Sequence, residues 1–162
     1  MQFQPRPPRC GSITRWPRRA SFFPLTYTLS MPATLALIAH DGKKADLISF
    51  AHHHADLLHQ FDLIATGTTG GLLHKELDLP IIRKESGPLG GDVQIAAEVI
   101  EGNVDGVIFF IDPQGKHPHE PDIQTLLRTC VVKNTPLATN ESTARMLLTT
   151  EHVVPNNEST TS

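Results

Sequence analysis

The sequence is poor in cysteine and has no long apolar runs. Its 162 residues include two cysteines, Cys10 and Cys130. Two cysteines cannot form a disulfide framework or a four-cysteine zinc site, and they favour a reducing compartment, the cytoplasm. Apolar runs such as Val107–Ile111 fall far short of the ~20 residues that a membrane helix needs, so we expect no membrane span. The sequence also lacks the G-x-x-x-x-G-K-[ST] phosphate loop and the G-x-G-x-x-G dinucleotide motif.

Basic charge is scarce in most of the chain and concentrated at its start. Residues 1–31 hold five arginines, five prolines and no acid, whereas the rest of the chain holds nine Lys+Arg and 17 Asp+Glu. An acidic body argues against nucleic-acid binding, which needs a basic surface. The leader 1–31 has three interpretations. A transit peptide would form an amphipathic helix, which the prolines oppose, and a secretory signal would need an apolar core, which Pro24 interrupts. We favour the third, an unstructured extension that precedes a natural start at Met31.

Apolar segments alternate with helical patterns over residues 32–155, and a polar tail, 156–162, follows. Five short strands are predicted, at Thr34–Ala39, Asp62–Ala65, Ile81–Arg83, Val104–Ile111 and Thr135–Thr139. Helices are predicted at Asp46–Gln60, about Gly70–Leu77, Gly91–Glu101, Pro121–Lys133 and Asn140–Thr150. This alternation is typical of an α/β domain with three layers, in which a five-stranded parallel sheet lies between helices.

Polar or glycine-rich segments follow four consecutive strands. They are His40-Asp41, Thr66–Thr69, the segment Ser86–Asp92, and Asp112-Pro113. Ligands of open α/β sheets bind beyond the carboxyl ends of the strands, so we expect the functional site at this edge.

The segment Thr66-Gly67-Thr68-Thr69 offers hydroxyls and backbone N–H groups at a predicted helix start, which is a geometry that binds phosphate. By itself it is equally typical of an ordinary capped turn. Lys44 adds a positive charge, and Ser86 and Gly87 add a hydroxyl and a close backbone approach, so the set favours phosphate binding.

Acids and histidines at the same edge are candidates for acid–base chemistry. Asp92 begins a predicted helix, where capping is the commoner use of aspartate and a general base is the alternative. His40 and His119 are candidates to polarise a carbonyl or carry a proton, or are structural histidines. Acids that orient these histidines or balance charge would be Asp41, Asp112 and Asp122.

The triplet His52-His53-His54 suggests a metal site, but adjacent residues of a helix point in different directions, so no metal site is predicted. Cys130 falls within a predicted helix and is interpreted as a core residue.

The order and identity of these motifs closely resemble the methylglyoxal synthase family. The resemblance runs from about Leu35 to about Thr150 and rests on five segments: Ile38–Lys44 (IAHDGKK), Ala65–Gly70 (ATGTTG), Ser86–Asp92 (SGPLGGD), Asp112-Pro113 with Pro118–Asp122 (PHEPD), and Pro136–Asn140 (PLATN).

This resemblance implies a fold, an assembly and a reaction. The fold would be the family's α/β domain, assembled as a homohexamer, and the reaction would convert dihydroxyacetone phosphate to methylglyoxal and inorganic phosphate without a metal or organic cofactor. By position, Asp92 matches the catalytic base, His119 the histidine that acts on the substrate oxygens, and His40 a substrate-binding histidine. The phosphate cradle would be formed by Lys44, Thr66, Gly67, Thr68, Thr69, Ser86 and Gly87.

Two rival functions belong to other classes. The same fold serves as a non-catalytic, ligand-binding regulatory module in carbamoyl phosphate synthetase, and a sugar-phosphate isomerase would use the same base. A binding module would not need both Asp92 and His119.

Overall fold

The computed structural model describes residues 32–115 and 120–149. The predicted leader, residues 1–31, and the polar tail, 156–162, lie outside the described residues. The helices and strands are therefore given for the body of the chain only.

All five strands run parallel in one sheet, as the sequence predicts. They are β1 (Thr34–Ala39), β2 (Asp62–Ala65), β3 (Ile81–Arg83), β4 (Gly106–Phe110) and β5 (Leu137–Ala138). Their order across the sheet is β3-β2-β1-β4-β5. The chain therefore builds outward from β1 to β3 on one side and then crosses to β4 on the other, so the order reverses between β1 and β4.

The described residues form α1 (Lys44–His53), α2 (Ala55–Leu58), α3 (Gly67–Leu77), α4 (Gly91–Glu101), α5 (Glu120–Lys133) and α6 (Glu141–Leu148). The prediction of one helix over Asp46–Gln60 was wrong, because the backbone at His54 leaves the helical region (φ −123°, ψ 22°) and separates α1 from α2. The third helix begins at Gly67 rather than about Gly70, so the Thr66–Thr69 segment is its first turn.

Apolar side chains cover both faces of the sheet. Along β1, Leu35 and Leu37 face the layer that contains α1, α3 and α6, while Ala36 and Ile38 face the layer that contains α4 and α5. Burial on both faces explains why the strands are nearly continuous apolar runs. The result confirms the three-layer α/β/α architecture.

No helix in residues 32–115 or 120–149 has both the length and the apolar character to cross a membrane. Within the same residues, no three His, Cys, Asp or Glu side chains lie together where they would hold a metal ion.

Candidate active site

The segments predicted to carry chemistry lie at one edge of the sheet. Because every strand is parallel, their carboxyl ends meet at the same edge. The strand order places the Ser86 segment, the Thr66 segment, His40 and Asp112 side by side along this edge, after β3, β2, β1 and β4 respectively.

His40 is buried where the strand order reverses. Its backbone N–H donates to the carbonyl of Phe110 (3.1 Å), and its Nδ1 accepts the backbone N–H of Asp112 (2.9 Å). The ring also packs edge-on against Phe109, with centroids 4.9 Å apart. Since Nδ1 accepts a hydrogen bond, the neutral ring carries its proton on Nε2, and the imidazole therefore presents an Nε2–H donor.

Lys44 and Asp112 lie on either side of the turn that follows β1. The ammonium group of Lys44 forms an ion pair with Asp41, whose side chain is 95% exposed, while that of Lys44 is 19% exposed. The carboxylate of Asp112 accepts the Gln114 N–H (3.0 Å) and lies against Gly42, where a Cβ would come within 2.6 Å of Oδ2. A side chain at position 42 would push Asp112 away from this turn.

The Thr66–Thr69 segment forms the start of α3. Thr66 is the N-cap, and its hydroxyl donates to the hydroxyl of Thr69 (3.2 Å) instead of capping the helix; both side chains are buried, whereas Thr68 is exposed. The amides of Thr68 and Thr69 belong to the first turn of the helix, where N–H groups have no carbonyl of the same helix to bind. These amides and the helix dipole form a suitable site for an anion.

Gly67 joins the start of α3 to the loop that follows β3. Its N–H donates to the carbonyl of Glu85 (2.9 Å). A Cβ at Gly67 would lie 2.9 Å from the Lys84 oxygen and 3.1 Å from the Ser86 nitrogen. The absence of a side chain therefore lets the start of α3 touch the loop that carries Ser86 and Gly87.

Asp92 is the second residue of α4 and is only 1% exposed. The residue before it, Gly91, donates its N–H to the Ser86 carbonyl (3.0 Å), and a Cβ there would lie 2.0 Å from the Glu85 oxygen. The start of α4 thus rests directly on the Ser86 loop. Because this loop also touches Gly67, the starts of α3 and α4 meet at the same loop.

Two predicted site residues, His119 and Asp122, lie in or next to the gap at residues 116–119. His119 falls within residues 116–119, outside the described residues. Asp122 lies in the first turn of α5, just after that gap, and is half-buried.

Two of the three histidines at the end of α1, His53 and His54, have contacts within the protein. His53 Nδ1 is 2.7 Å from the carbonyl oxygen of Ser49, and the His54 ring packs on Phe50 with centroids 4.6 Å apart. Cys130 is buried in the layer of α4 and α5, as the core interpretation predicts.

Comparison with known proteins identifies the family. A model of the MGS-like domain matches residues 46–139. The methylglyoxal synthase of Pseudoalteromonas atlantica is 55% identical over 119 residues, which cover 74% of this chain and 88% of that protein. The methylglyoxal synthase of Cupriavidus metallidurans is 54% identical over 114 residues, which cover 70% of this chain and 81% of that protein. The chain belongs to the methylglyoxal synthase family.

A solved methylglyoxal synthase has the same fold. The crystal structure of the protein from Elizabethkingia anophelis NUHP1 matches with a TM-score of 0.72 and 43% identity, over 76% of this chain and 83% of that one. The domain match at 46–139 contains the Thr66, Ser86 and Asp92 segments, whereas His40 and Lys44 precede it.

Backbone contacts within the protein are the part of this candidate site that sequence reasoning missed. The Asp112 amide sets the proton position of His40, and the Glu85 carbonyl accepts from Gly67. Every residue has a carbonyl, and every residue except proline has an N–H, so no sequence pattern marks these contacts. Gly91 offered the one available signal, since a glycine just before a buried acid at a helix start indicates a close backbone approach.

Proposed function

We propose that this chain is a methylglyoxal synthase, a carbon–oxygen lyase that converts dihydroxyacetone phosphate to methylglyoxal and inorganic phosphate without a metal or organic cofactor. One observation carries the proposal: a buried carboxyl group, Asp92, lies in the first turn of a helix that rests on the Ser86 loop, and this loop also contacts the start of α3, in a chain 55% identical to a methylglyoxal synthase. The cytoplasmic location and the homohexamer implied by the family resemblance are part of the same proposal.

The phosphate of the substrate would bind at the start of α3. The amides of Thr68 and Thr69, the threonine hydroxyls and the Ser86–Gly87 turn supply neutral donors at a positive helix end. Lys44 would supply the charge. Its partner Asp41 is almost fully exposed, and exposed ion pairs are weak, so the ammonium can exchange this carboxylate for phosphate at little cost. Gly67 contributes by bringing the two turns together.

Asp92 would act as the general base on the hydroxymethyl carbon, whose hydrogen is acidified by the adjacent ketone. Its carboxylate takes this proton, and the C–H electron pair moves into the carbon–carbon bond as the ketone oxygen becomes an enediolate oxygen. The Nε2–H of His40 would donate to substrate oxygen as this charge develops, and His119 would act on the same oxygens.

Phosphate then leaves from the third carbon. The electron pair of the enediolate double bond forms a new double bond to the third carbon while the C–O bond to phosphate breaks with both electrons, and the hydroxyl proton on the first carbon passes to the departing phosphate as that carbon becomes an aldehyde. Protonation of the resulting enolate at its terminal carbon, by the proton that Asp92 holds, gives methylglyoxal. Expulsion needs the C–O bond perpendicular to the enediolate plane, so the position of the phosphate decides between elimination and isomerisation.

Purified protein incubated with dihydroxyacetone phosphate tests this proposal. We expect methylglyoxal and inorganic phosphate in equal amounts, and Asp92→Asn should abolish turnover while phosphate binding persists. Asp78→Asn is a matched control, since Asp78 ends α3 away from the site and asparagine tolerates its left-handed backbone (φ 51°). Glyceraldehyde 3-phosphate as the product would indicate an isomerase, and saturable binding without turnover a regulatory module; either would contradict the proposal.

A further inference from the structure

The loop between β3 and α4 is held by side chains of α4 as well as by its backbone. The N–H of Glu85 donates to the side-chain Oε1 of Gln94 (2.8 Å). One helical turn further on, Glu98 forms an ion pair with Lys84 and also accepts a hydrogen bond from Asn103 (2.8 Å). Two consecutive residues of the loop are thus bound to side chains of α4, the helix that carries Asp92.

The Glu85 peptide groups connect the two halves of the site. Its carbonyl accepts the Gly67 N–H from the start of α3, and its own N–H binds Gln94 on α4. The phosphate-binding turns and the buried carboxyl group therefore meet through one residue. The hydrogen bond between Glu85 and α3 joins backbone groups only. The hydrogen bond between Glu85 and Gln94 uses a side chain, so a substitution at position 94 can remove it.

We propose that Gln94 is a positioning residue that sets the Ser86 turn against Asp92, and thereby sets the orientation of the leaving phosphate. This inference rests on the proposed function. Without the Gln94 acceptor, water would bind the exposed Glu85 amide, and the Ser86–Gly87 turn would be held less firmly against α4, by the Gly91 N–H bond to Ser86 and the Lys84–Glu98 ion pair. The enediolate would then form with its C–O bond less often perpendicular, so a larger share would be reprotonated to glyceraldehyde 3-phosphate instead of losing phosphate.

Gln94→Met removes the acceptor but keeps the length of the side chain, and Gln94→Glu keeps a carboxylate acceptor. Gln124→Met is a matched control, because Gln124 is another exposed helical glutamine, bound to Glu120 on α5. Since a misplacement of ~1 Å costs as much as 10²-fold, we expect Gln94→Met to lower kcat by about tenfold and to raise the glyceraldehyde 3-phosphate share severalfold.

The conservative variant separates positioning from general damage. We expect Gln94→Glu to stay within about threefold of the wild type for kcat and product ratio, because a carboxylate accepts an amide hydrogen bond at least as well. Assays at about 0.3 M salt screen its added charge. Gln124→Met should match the wild type. A Gln94→Met enzyme with wild-type kcat and product ratio would overturn the inference, as would a Gln94→Glu enzyme as impaired as Gln94→Met.

A second measurement does not depend on turnover. Hydrogen–deuterium exchange over residues 84–90 should be severalfold faster in Gln94→Met than in the wild type, and unchanged in Gln94→Glu and Gln124→Met. Equal exchange in all four proteins would overturn the positioning role. A wild type that makes no methylglyoxal would overturn the proposed function instead, and the exchange data would still decide whether Gln94 holds the loop.

Discussion

The contact beneath Gly91 gives the sharpest prediction, because a single methyl group at this position meets backbone and not a movable side chain. In Gly91→Ala the new Cβ would lie 2.0 Å from the Glu85 oxygen, 2.8 Å from the carbon of that carbonyl and 3.0 Å from the Ser86 carbonyl carbon. Ordinary contacts need about 3.5 Å. The start of α4 and the Ser86 loop must therefore separate by at least about 1 Å.

Both stability and activity should fall in Gly91→Ala. Overpacking costs about 1–3 kcal/mol, and the higher helix propensity of alanine returns at most ~1 kcal/mol, so we expect a net loss of about 1–2 kcal/mol. The larger effect is on catalysis. A displacement of ~1 Å between Asp92 and the phosphate-binding turns should lower kcat/KM by about 10²-fold.

Gly90→Ala is the control that separates strain from displacement. Gly90 has φ 89°, but a Cβ there would meet nothing within 4 Å. This change should cost a similar 1–2 kcal/mol, roughly the penalty of a left-handed alanine, while kcat/KM falls less than tenfold. Urea unfolding and the methylglyoxal assay measure the two quantities. Equal losses of activity in Gly90→Ala and Gly91→Ala would refute the reasoning, as would a Gly91→Ala protein that matches the wild type in both.

Two further predictions concern ionisable groups. Hydrogen bonds from Lys84 and Asn103 hold the pKa of Glu98 below its ordinary value. The stabilisation that the Glu98 carboxylate gives to the folded protein is therefore complete above the unfolded-state pKa of about 4.3 and is lost as the pH falls through the lower pKa of the folded state. Urea unfolding should show the wild type about 0.5–1 kcal/mol more stable than Glu98→Gln at pH 7 and no more stable at pH 2. An equal difference at both pH values would contradict this. Burial raises the pKa of the Cys130 thiol to about 11. In a Cys10→Ser variant, an aromatic disulfide reagent should therefore label Cys130 at pH 8 only after urea unfolds the protein. Rapid labelling of the native protein would count against a buried thiol.

Most of the fold could be predicted because its strands are buried on both faces. Thr34–Ala39 and Asp62–Ala65 lie in the sheet with the predicted bounds, since a short apolar run between helical patterns has few other places to go. β3 also has its predicted bounds, whereas β4 and β5 are shorter than predicted. β5 pairs with β4 at Leu137 and Ala138, opposite Val107 and Ile108.

The start of α3 was predicted incorrectly because tertiary packing outweighs the helix propensities of the residues there. Threonine and glycine are poor helix formers, and the helix was expected to begin at about Gly70, yet it begins at Gly67. The helix can begin there because Leu73 is fully buried beneath it and Gly70 N–H binds the Thr66 carbonyl (2.8 Å). Tertiary packing outweighs propensity at this point, and it places the threonine amides at a helix end.

The same distinction applies to the candidate site. Residue types at the strand ends made Asp92, His40 and the threonine segment candidates, and the family resemblance then assigned their roles. Their mutual distances depend instead on glycines that touch peptide groups, and such contacts are visible only in three dimensions. If an isomerase and a phosphate lyase share a base and a cradle, then the orientation of the phosphate relative to the enediolate is what separates their products. Gly67, Gly91 and the side chain of Gln94 all contact the peptide groups of Glu85, so substitutions at these positions should change the product ratio together.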